Sequence, residues 1–598
     1  MYVVATAGHV DHGKSALVRA LTDIEPDRWA EERRRGLTID LGFAWATLPS
    51  GQGVSFVDVP GHERFIANML AGLGPAPLVL FMVAADEGWM PQSSEHRDAL
   101  AALGIRRGIV VLTKSDLVSD LAPVTAQVRA ELAATGLHDA PVVVTSARTG
   151  AGLDKLRTEL DRVLAGSPGP DVAGRVRLWV DRSFTIGGAG TVVTGTLAAG
   201  RIAPGDRFDV LGAERTLPVT VRGVQSQERS IEYAEPISRV ALNLRGVGAD
   251  DVRRGDALVR PGEWRLTDTL DVRRATGREY RSVPVELTAH VGTAAVPARL
   301  RPLDADSARL TLARPLPLVA GDRIVLRDPG APGSEGARIV GGAVVLDTEP
   351  PELRRRGDAA RRAAALDELE GPDRVRADVQ RRGAVRRTHL QRLGLDTDSV
   401  PTGVRAIDEW WIAESQWTAW RDGLAAATAA RFESDPLGPG LSQGAAIDAV
   451  GLPDPELLPS LVAQTEVELV AGHLRMPGTS GELGPAASAV TALEERLRAA
   501  PFAAPEASDL ASLGLGAREL AAAERAGRVL RLGEGVVLLP EAPALAMREL
   551  ARLAQPFTTS EARQVLGTTR RVAIPLLEHL DSRGWTRRLD AGHREIVR

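Results

Sequence analysis

Along the first 165 residues the chain alternates between two hydrophobic rhythms. Apolar runs at Val54 to Val57, Leu78 to Ala84, Ile109 to Leu112 and Val142 to Val144 are separated by stretches with helical spacing. Such runs suit strands covered on both faces, and the alternation predicts a parallel sheet wrapped by helices. The turn-rich stretch Gly166 to Asp171 predicts a boundary, giving a first domain at 1–170. From Arg175 to about 350 the rhythm shortens to runs of valine, threonine and leucine punctuated at Ala203 to Asp206 and Ala320 to Asp322. Regular short strands with turn signals predict two β-barrels, 171–262 and 263–350, meeting near Pro261 and Gly262. From 351 the pattern is helical, with turns at Leu393-Gly394, Val450-Gly451, Leu513-Gly514 and Leu566-Gly567, a spacing of roughly 55 to 65 residues. Helices followed by hairpins at Val529 to Leu539 and Trp585 to Val597 predict tandem winged helices over 351–598, about four, the last at about 546–598.

Composition narrows the class. An apolar fraction of 44% and a net charge of -5 describe an ordinary globular protein without a uniformly basic coat. There is no cysteine, which excludes disulfides, thiolate metal sites and cysteine nucleophiles. The N-terminal residues lack a basic region and a cleavable apolar stretch, and no apolar run approaches the roughly 20 residues of a membrane helix. A cytoplasmic, monomeric protein with no membrane partner is expected. Of 73 basic residues only Lys14, Lys114 and Lys155 are lysine. Lysine kept against that bias marks places where a slim point charge is needed and the broad guanidinium fork does not fit.

Two of the three lysines fall in nucleotide motifs. Gly8 to Ser15 fits G-x-x-x-x-G-K-S between an apolar strand and a helix, the setting of a phosphate-binding loop. Backbone N–H groups of Gly8, His9, Val10, Asp11, His12 and Gly13 are placed to cradle phosphates. Lys14 is expected to reach the β- and γ-phosphates, and the Ser15 hydroxyl to bind Mg²⁺. Asp58 ends an apolar strand and is expected to hold Mg²⁺ through water, with the Gly61 N–H meeting the γ-phosphate. Thr113 to Asp116 and Ser146-Ala147 each end a strand. The Asp116 carboxylate can accept both N1–H and the 2-amino group of guanine, a pair adenine does not offer. The Lys114 stem can lie along the purine, so GTP and GDP are expected rather than adenine nucleotides. Asparagine often stands where Thr113 does, which shifts discrimination onto Asp116, Ser146 and Ala147.

Gly8 to Ser15 together with Asp58 to His62, and with Ala85 to Gln92 and Glu95-His96, resembles the translational GTPases, the class of elongation factor Tu. The resemblance implies that His62 positions the attacking water on the ribosome, with Val10 in the apolar gate beside it. It also implies that Thr38 binds Mg²⁺ in the GTP state.

Two longer stretches narrow the resemblance. Glu31 to Ala44 and Asp181 to Thr196 are similar to the first switch and second domain of the selenocysteine-specific elongation factors. That family carries selenocysteinyl-tRNA, and the resemblance implies a selenol pocket made by Asp181, Arg182 and Arg239. The chemistry is coherent, because an anionic selenolate gains a Coulomb term from arginine that the neutral serine hydroxyl does not. Phe557 to Arg588 resembles the final winged helix of the same family, which grips the selenoprotein mRNA hairpin. The resemblance places a recognition helix at Thr568 to Arg571, implicating Arg570 and Arg571, and a wing with Arg587, Arg588 and Arg594. Between Arg552 and Arg598 nine arginines face five acidic residues, a balance that suits an RNA backbone. Trp410, Trp411, Trp417 and Trp420 are expected as core of the first winged helix rather than base-stacking platforms. The implied function is delivery of selenocysteinyl-tRNA to the ribosome at UGA with GTP hydrolysis. Two other readings stay open here, a general or initiator tRNA-binding GTPase and a GTP-gated RNA-binding protein without tRNA cargo.

Overall fold

A computed structural model describes residues 2–26, 38–74, 76, 78–167, 169–188, 190–330, 339–371, 373–477 and 483–597. Residues 31–37 of the switch stretch, Ala189 and the terminal Arg598 therefore lie outside the described residues. The chain divides into two compact units, Met1–Asp378 with Arg386–Pro401, and Val379–Val385 with Thr402–Arg598.

The first unit opens with β1 (Tyr2–Gly8), α1 (Lys14–Thr22), β2 (Gly42–Thr47), β3 (Gly53–Asp58), α2 (Ile66–Leu73), β4 (Leu78–Ala84), α3 (Pro91–Leu103), β5 (Gly108–Thr113), α4 (Ala122–Leu132), β6 (Val142–Val144) and α5 (Leu153–Ala165). The sheet order is β2-β3-β1-β4-β5-β6, parallel except for β2 against β3. Every residue of β4 is buried, as expected for a central strand with helices on both faces. On α5 the leucines 153, 156, 160 and 164 recur at helical spacing and are all buried. They close one face of the sheet with Val4, Leu80 and Ile109. Fully burying each such side chain contributes about 1.5–3 kcal/mol.

Two barrels follow. The first comprises β7 (Arg177–Ile186), β8 (Gly190–Leu197), β9 (Arg207–Leu211), β10 (Thr216–Ser226), β11 (Arg229–Ile231), β12 (Ser238–Arg245) and β13 (Ala257–Val259), closed by pairing of β9 with β10. The second comprises β14 (Thr267–Gly277), β15 (Glu286–Val291), β16 (Ala294–Pro302), β17 (Ser307–Leu316), β18 (Arg323–Arg327) and β19 (Ile339–Asp347) in a closed ring. Helix α3 packs on this barrel so closely that a Cβ at Gly342 would stand 2.5 Å from the Ala102 Cα.

The first unit continues beyond residue 350. Helix α6 (Asp358–Glu368) packs Ala363 and Leu366 against Leu303 and Leu346 of the second barrel. A buried charge cluster fixes it there. Asp271 on β14 takes a bidentate contact from Arg309, its cross-strand partner on β17, at 2.8 and 3.0 Å. Its second oxygen also accepts from Arg362 of α6 at 2.7 Å, and Arg362 reaches Asp347 at 2.5 Å.

In the second unit short helices alternate with small sheets. The strand Trp410–Ala413 pairs with Val404–Ile407, and Leu441–Ser442 and Glu468–Val470 flank His473–Arg475. Farther on, Leu530–Arg531 pairs with Val537–Leu538, and His593–Ile596 lies between Phe557–Thr558 and Thr586–Arg588. Trp411, Trp417 and Trp420 are buried, and Trp417 and Trp420, on the helix Glu414–Ser434, share a core with Ile412 of the preceding hairpin and with Leu452, Leu457 and Leu474. One continuous core thus takes in the hairpin before this helix and the leucines after it, and both helix tryptophans are packed inside it. Among the described residues no helix is long and apolar enough to cross a membrane.

Asp271→Ala would remove the carboxylate shared by two buried guanidiniums, at an expected cost of about 3–5 kcal/mol. Urea-dependent hydrogen exchange of the β14 amides reads this barrel separately from the other domains. Unchanged protection would contradict the role given to the cluster.

Candidate functional site

The nucleotide-binding loop is built where β1 ends and α1 begins. Gly8 has φ 136°, and a Cβ there would lie 2.2 Å from the Met82 carbonyl oxygen, so the tight exit from β1 needs glycine. Gly13 caps α1 in the left-handed conformation with no side-chain cap, leaving the N–H groups of the first turn for an anion. They open on a cavity of about 750 Å³ lined by Val10, Asp11, Gly13, Lys14, Ser15, Thr38, Gly61, Lys114, Asp116, Ser146 and Ala147. Its size lies within the range of roughly 300–1,000 Å³ usual for small-molecule sites.

Lys14 arches over the loop and donates to the carbonyls of Gly8 at 3.0 Å and His9 at 2.7 Å. A Cβ on Gly61 would stand 2.5 Å from its Nζ and 2.8 Å from the Val10 backbone nitrogen, and the backbone contact explains the absence of a side chain there. The three residues expected around Mg²⁺ converge. The Ser15 hydroxyl donates to Asp58 Oδ2 at 2.6 Å and lies 3.0 Å from the Thr38 hydroxyl. The fully buried Asp58 also accepts from Thr6 at 2.7 Å. A set of hard oxygen donors with one carboxylate fits Mg²⁺, which completes its shell with water and phosphate.

At the other end of the cavity, Asp116 accepts from Ser146 at 2.6 Å and from Arg148 at 2.8 Å. The Ser146 hydroxyl, helped by Arg148, holds its carboxyl below the usual range, keeping it an acceptor. Partial burial would lower the Lys114 pKa, but its contacts with Glu87 at 2.7 Å and Asp86 at 3.8 Å hold it above the ordinary value. Thr113 donates to the His12 carbonyl at 2.8 Å and ties the end of β5 to the Gly8 to Ser15 loop.

Five expected residues do not line the cavity. Gly8, His9 and His12 belong to the loop without lining the cavity, Asp58 is buried behind Ser15, and His62 lies on the turn before α2. The His12 ring is buried with Nδ1 3.3 Å from the Met82 carbonyl, and burial lowers its pKa to about 4, so it is neutral and acts through its backbone. His62 Nδ1 accepts from the Arg64 N–H at 3.2 Å.

Gln92 and His96 stood in a matching stretch without an assigned role. Both reach from α3 to the loop, His96 Nδ1 accepting from the Gly8 N–H at 3.0 Å and Gln92 from the Val10 N–H at 3.1 Å. Full burial keeps His96 neutral, its pKa well below the ordinary value, as an acceptor requires. Arg148 was also missed, and only its position two residues after Ser146 could have signalled it.

A second cavity, of about 250 Å³, opens beside the first barrel, with Phe43, Arg182, Thr194 and Arg239 in its walls. The ladder of β7 with β8 shifts register between Val180 and Arg182, a bulge that re-aims both Asp181 and Arg182. Asp181 lies behind the wall, 5% exposed, and grips Arg239 at 2.9 and 3.1 Å. Phe43 of β2 lies against both guanidiniums, with the Arg239 Cζ 3.4 Å and the Arg182 Cζ 4.6 Å from its ring centre. Sequence reasoning missed Phe43, because an apolar residue on a strand carries no sign of the cations it meets.

In the last winged helix Arg570, Arg587 and Arg588 are exposed. The other two arginines expected there make contacts within the protein. Arg594 is 5% exposed, bonded to Asp581 at 2.9 Å and to Thr559 at 3.2 Å, and it braces the hairpin internally. Arg571 is half-buried and donates to the carbonyls of Ala504 and Pro505 at 2.9 and 3.1 Å. Charge counting sees a cation but not the side to which its strand or helix turns it. Trp585, 41% exposed at the base of the wing, was not singled out for RNA contact.

Comparison with known proteins agrees in all three regions. Residues 1–165 match the elongation factor Tu GTP binding domain, 281–352 the selenocysteine-specific elongation factor beta-barrel domain, and 548–594 the elongation factor SelB winged helix. A selenocysteine-specific elongation factor of Desulfomicrobium baculatum is 32% identical over 98% of this chain and 98% of its own length. The crystal structure of a bacterial selenocysteine-specific elongation factor is 26% identical, with TM-score 0.73 and full coverage of both chains. The Methanococcus maripaludis SelB structure in complex with the GTP analogue GppNHp is 26% identical, with TM-score 0.52 over 58% of this chain and 79% of that one. With a relative of that identity matched along nearly its whole length, the chain belongs to the selenocysteine-specific elongation factors.

Proposed function

We propose that this GTPase carries selenocysteinyl-tRNA, binds the selenoprotein mRNA hairpin through its last winged helix, and releases the tRNA on the ribosome at UGA after hydrolysing GTP in the cytoplasm. The observation that carries the reading is the pair of guanidiniums, Arg182 and Arg239, in the wall of one small cavity, held by Phe43 and the buried Asp181. An aminoacyl selenolate entering there meets fixed cations in a partly desolvated setting. The seryl group has no charge to place against them.

The nucleotide site has the parts needed for phosphoryl transfer to water. The first-turn N–H groups of α1 and the Lys14 ammonium hold the phosphates, while Asp116, Ser146 and Ala147 select guanine. Ser15, Thr38 and Asp58 would hold Mg²⁺, which when bound neutralises charge developing between the β- and γ-phosphates. Gly61 lies against Lys14 and Val10, so its N–H can meet the γ-phosphate. His62, next along the turn, orients the attacking water once its ring leaves the Arg64 N–H. Arg570, Arg587 and Arg588 contact the hairpin backbone, and Trp585 offers a face for one unstacked base.

Three outcomes follow. Asp116→Asn exchanges two acceptors for an acceptor and a donor, which mismatches guanine and suits xanthine. Nucleotide titration should show preference moving from GTP to XTP, and retained GTP preference would remove Asp116 from base selection. Arg239→Gln should cut the preference for selenocysteinyl- over seryl-tRNA about 10- to 100-fold, matching about 1.5–3 kcal/mol for a charged hydrogen bond. Equal loss for both tRNAs would show a merely structural arginine. His62→Ala should lower ribosome-stimulated hydrolysis by about 10²–10⁴ while leaving GTP affinity intact. A normal single-turnover rate on the ribosome would rule out its catalytic role.

A further inference from the structure

We propose that Arg254 is the positioning residue that couples the nucleotide-contacting segment Thr38 to Leu41 to the cargo pocket on the first barrel; the inference rests on the cargo reading above. Arg254 lies on the turn entering β13 and touches neither cavity wall. Its guanidinium spends each nitrogen on a different element. Nε donates to the Asp181 carbonyl at 2.9 Å, Nη1 to Asn68 Oδ1 of α2 at 2.6 Å, and Nη2 to Asp40 Oδ1 at 2.5 Å.

Each of the three partners leads to a working part. The Asp181 carbonyl belongs to the β7 bulge, whose side chains Asp181 and Arg182 build the pocket. Asn68 donates onward to the Ile39 carbonyl at 2.9 Å, so the start of α2 and the segment after Thr38 are tied together at the same point. Asp40 is shared with Arg182, 3.4 Å away, and Arg182 also donates to the Leu41 carbonyl. The turn carrying Arg254 is itself zipped to β7, with the Gly255 N–H on the Val180 carbonyl at 3.1 Å and the Val180 N–H on the Asp256 carbonyl at 2.9 Å. Arg254 thus moves with the pocket strand while its two Nη atoms hold the nucleotide side.

Thr38 lies 3.0 Å from the Ser15 hydroxyl, and Asp40 is only two residues further on. Any change of nucleotide that displaces Thr38 must shift Ile39, Asp40 and Leu41 within a few ångströms of chain. Asp40 then leaves Arg254 and Arg182 together, and the bulge loses the contacts that fix the two pocket arginines. Contacts present in one nucleotide state and absent in the other are what a coupling free energy consists of. Lysine cannot substitute, because three acceptors in fixed directions require the planar fork of a guanidinium.

The test compares full-length wild type, Arg254→Ala, Arg254→Lys and Asn68→Ala. Affinity for selenocysteinyl-tRNA is measured with GppNHp and with GDP, seryl-tRNA serving as control. Arg254→Ala and Arg254→Lys should both reduce the ratio of the two affinities at least about 5-fold by weakening the GppNHp state, with Asn68→Ala losing less. Equal weakening in both nucleotide states, or an unchanged ratio, would overturn the proposal. A second readout needs no cargo: hydrogen exchange of the amides from Asp181 to Phe184 should differ between the two nucleotides in wild type and cease to differ in Arg254→Ala. Persistent nucleotide dependence in the variant would likewise overturn it. Failure of wild type to prefer selenocysteinyl- over seryl-tRNA would sink the cargo reading alone, because the exchange measurement decides the coupling by itself.

Discussion

The contact between the Thr38 and Ser15 hydroxyls governs more of this protein than its 3.0 Å length suggests. Thr38 is the last part of the nucleotide site before β2, and five residues later the same chain presents Phe43 to both pocket arginines. Extended, those five residues span at most about 17 Å. What the nucleotide does to Thr38 therefore arrives at the pocket within one short, hydrogen-bonded length of backbone. Asp40 sits at its midpoint, where Arg254 and Arg182 pull its carboxyl below the usual range against the opposing effect of burial.

The electrostatics divide between lysine and arginine along functional lines. Both nucleotide motifs keep lysine, a compact charge that can bend over a glycine-rich loop or lie beside a purine. Elsewhere arginine supplies planar forks that bridge two or three acceptors, as at Arg239 on Asp181 and Arg362 on Asp271 and Asp347. Buried pairs of this sort contribute little net stability beside an apolar replacement, but each is costly to break. They fix geometry. On the cargo reading proposed above, that fixed geometry would serve binding directly, because two arginines pre-set by Phe43 and Asp181 would not have to be reorganised when an anion arrives.

The sequence was legible where chemistry is local. The phosphate loop reads directly from Gly8 to Ser15, since its glycines and Lys14 act within one turn of chain, and the shift from parallel sheet to barrels to helices follows hydrophobic period alone. The pocket residues Asp181, Arg182 and Arg239 came only through resemblance, because strands 58 residues apart in sequence are brought together by the barrel's closure. Arg254 left no trace, its partners lying 73, 186 and 214 residues away with no motif around it. Resemblance placed Arg594 on the wing, but neither resemblance nor charge balance reveals that its strand turns it inward to Asp581.

Discrimination of cargo by charge is the central claim, and direct competition of selenocysteinyl- against seryl-tRNA of the same isoacceptor for the full-length GTP-bound chain tests it. A preference for selenocysteinyl-tRNA that weakens sharply when GDP replaces GTP is the expected result. Equal affinity for the two tRNAs in the GTP state would contradict it.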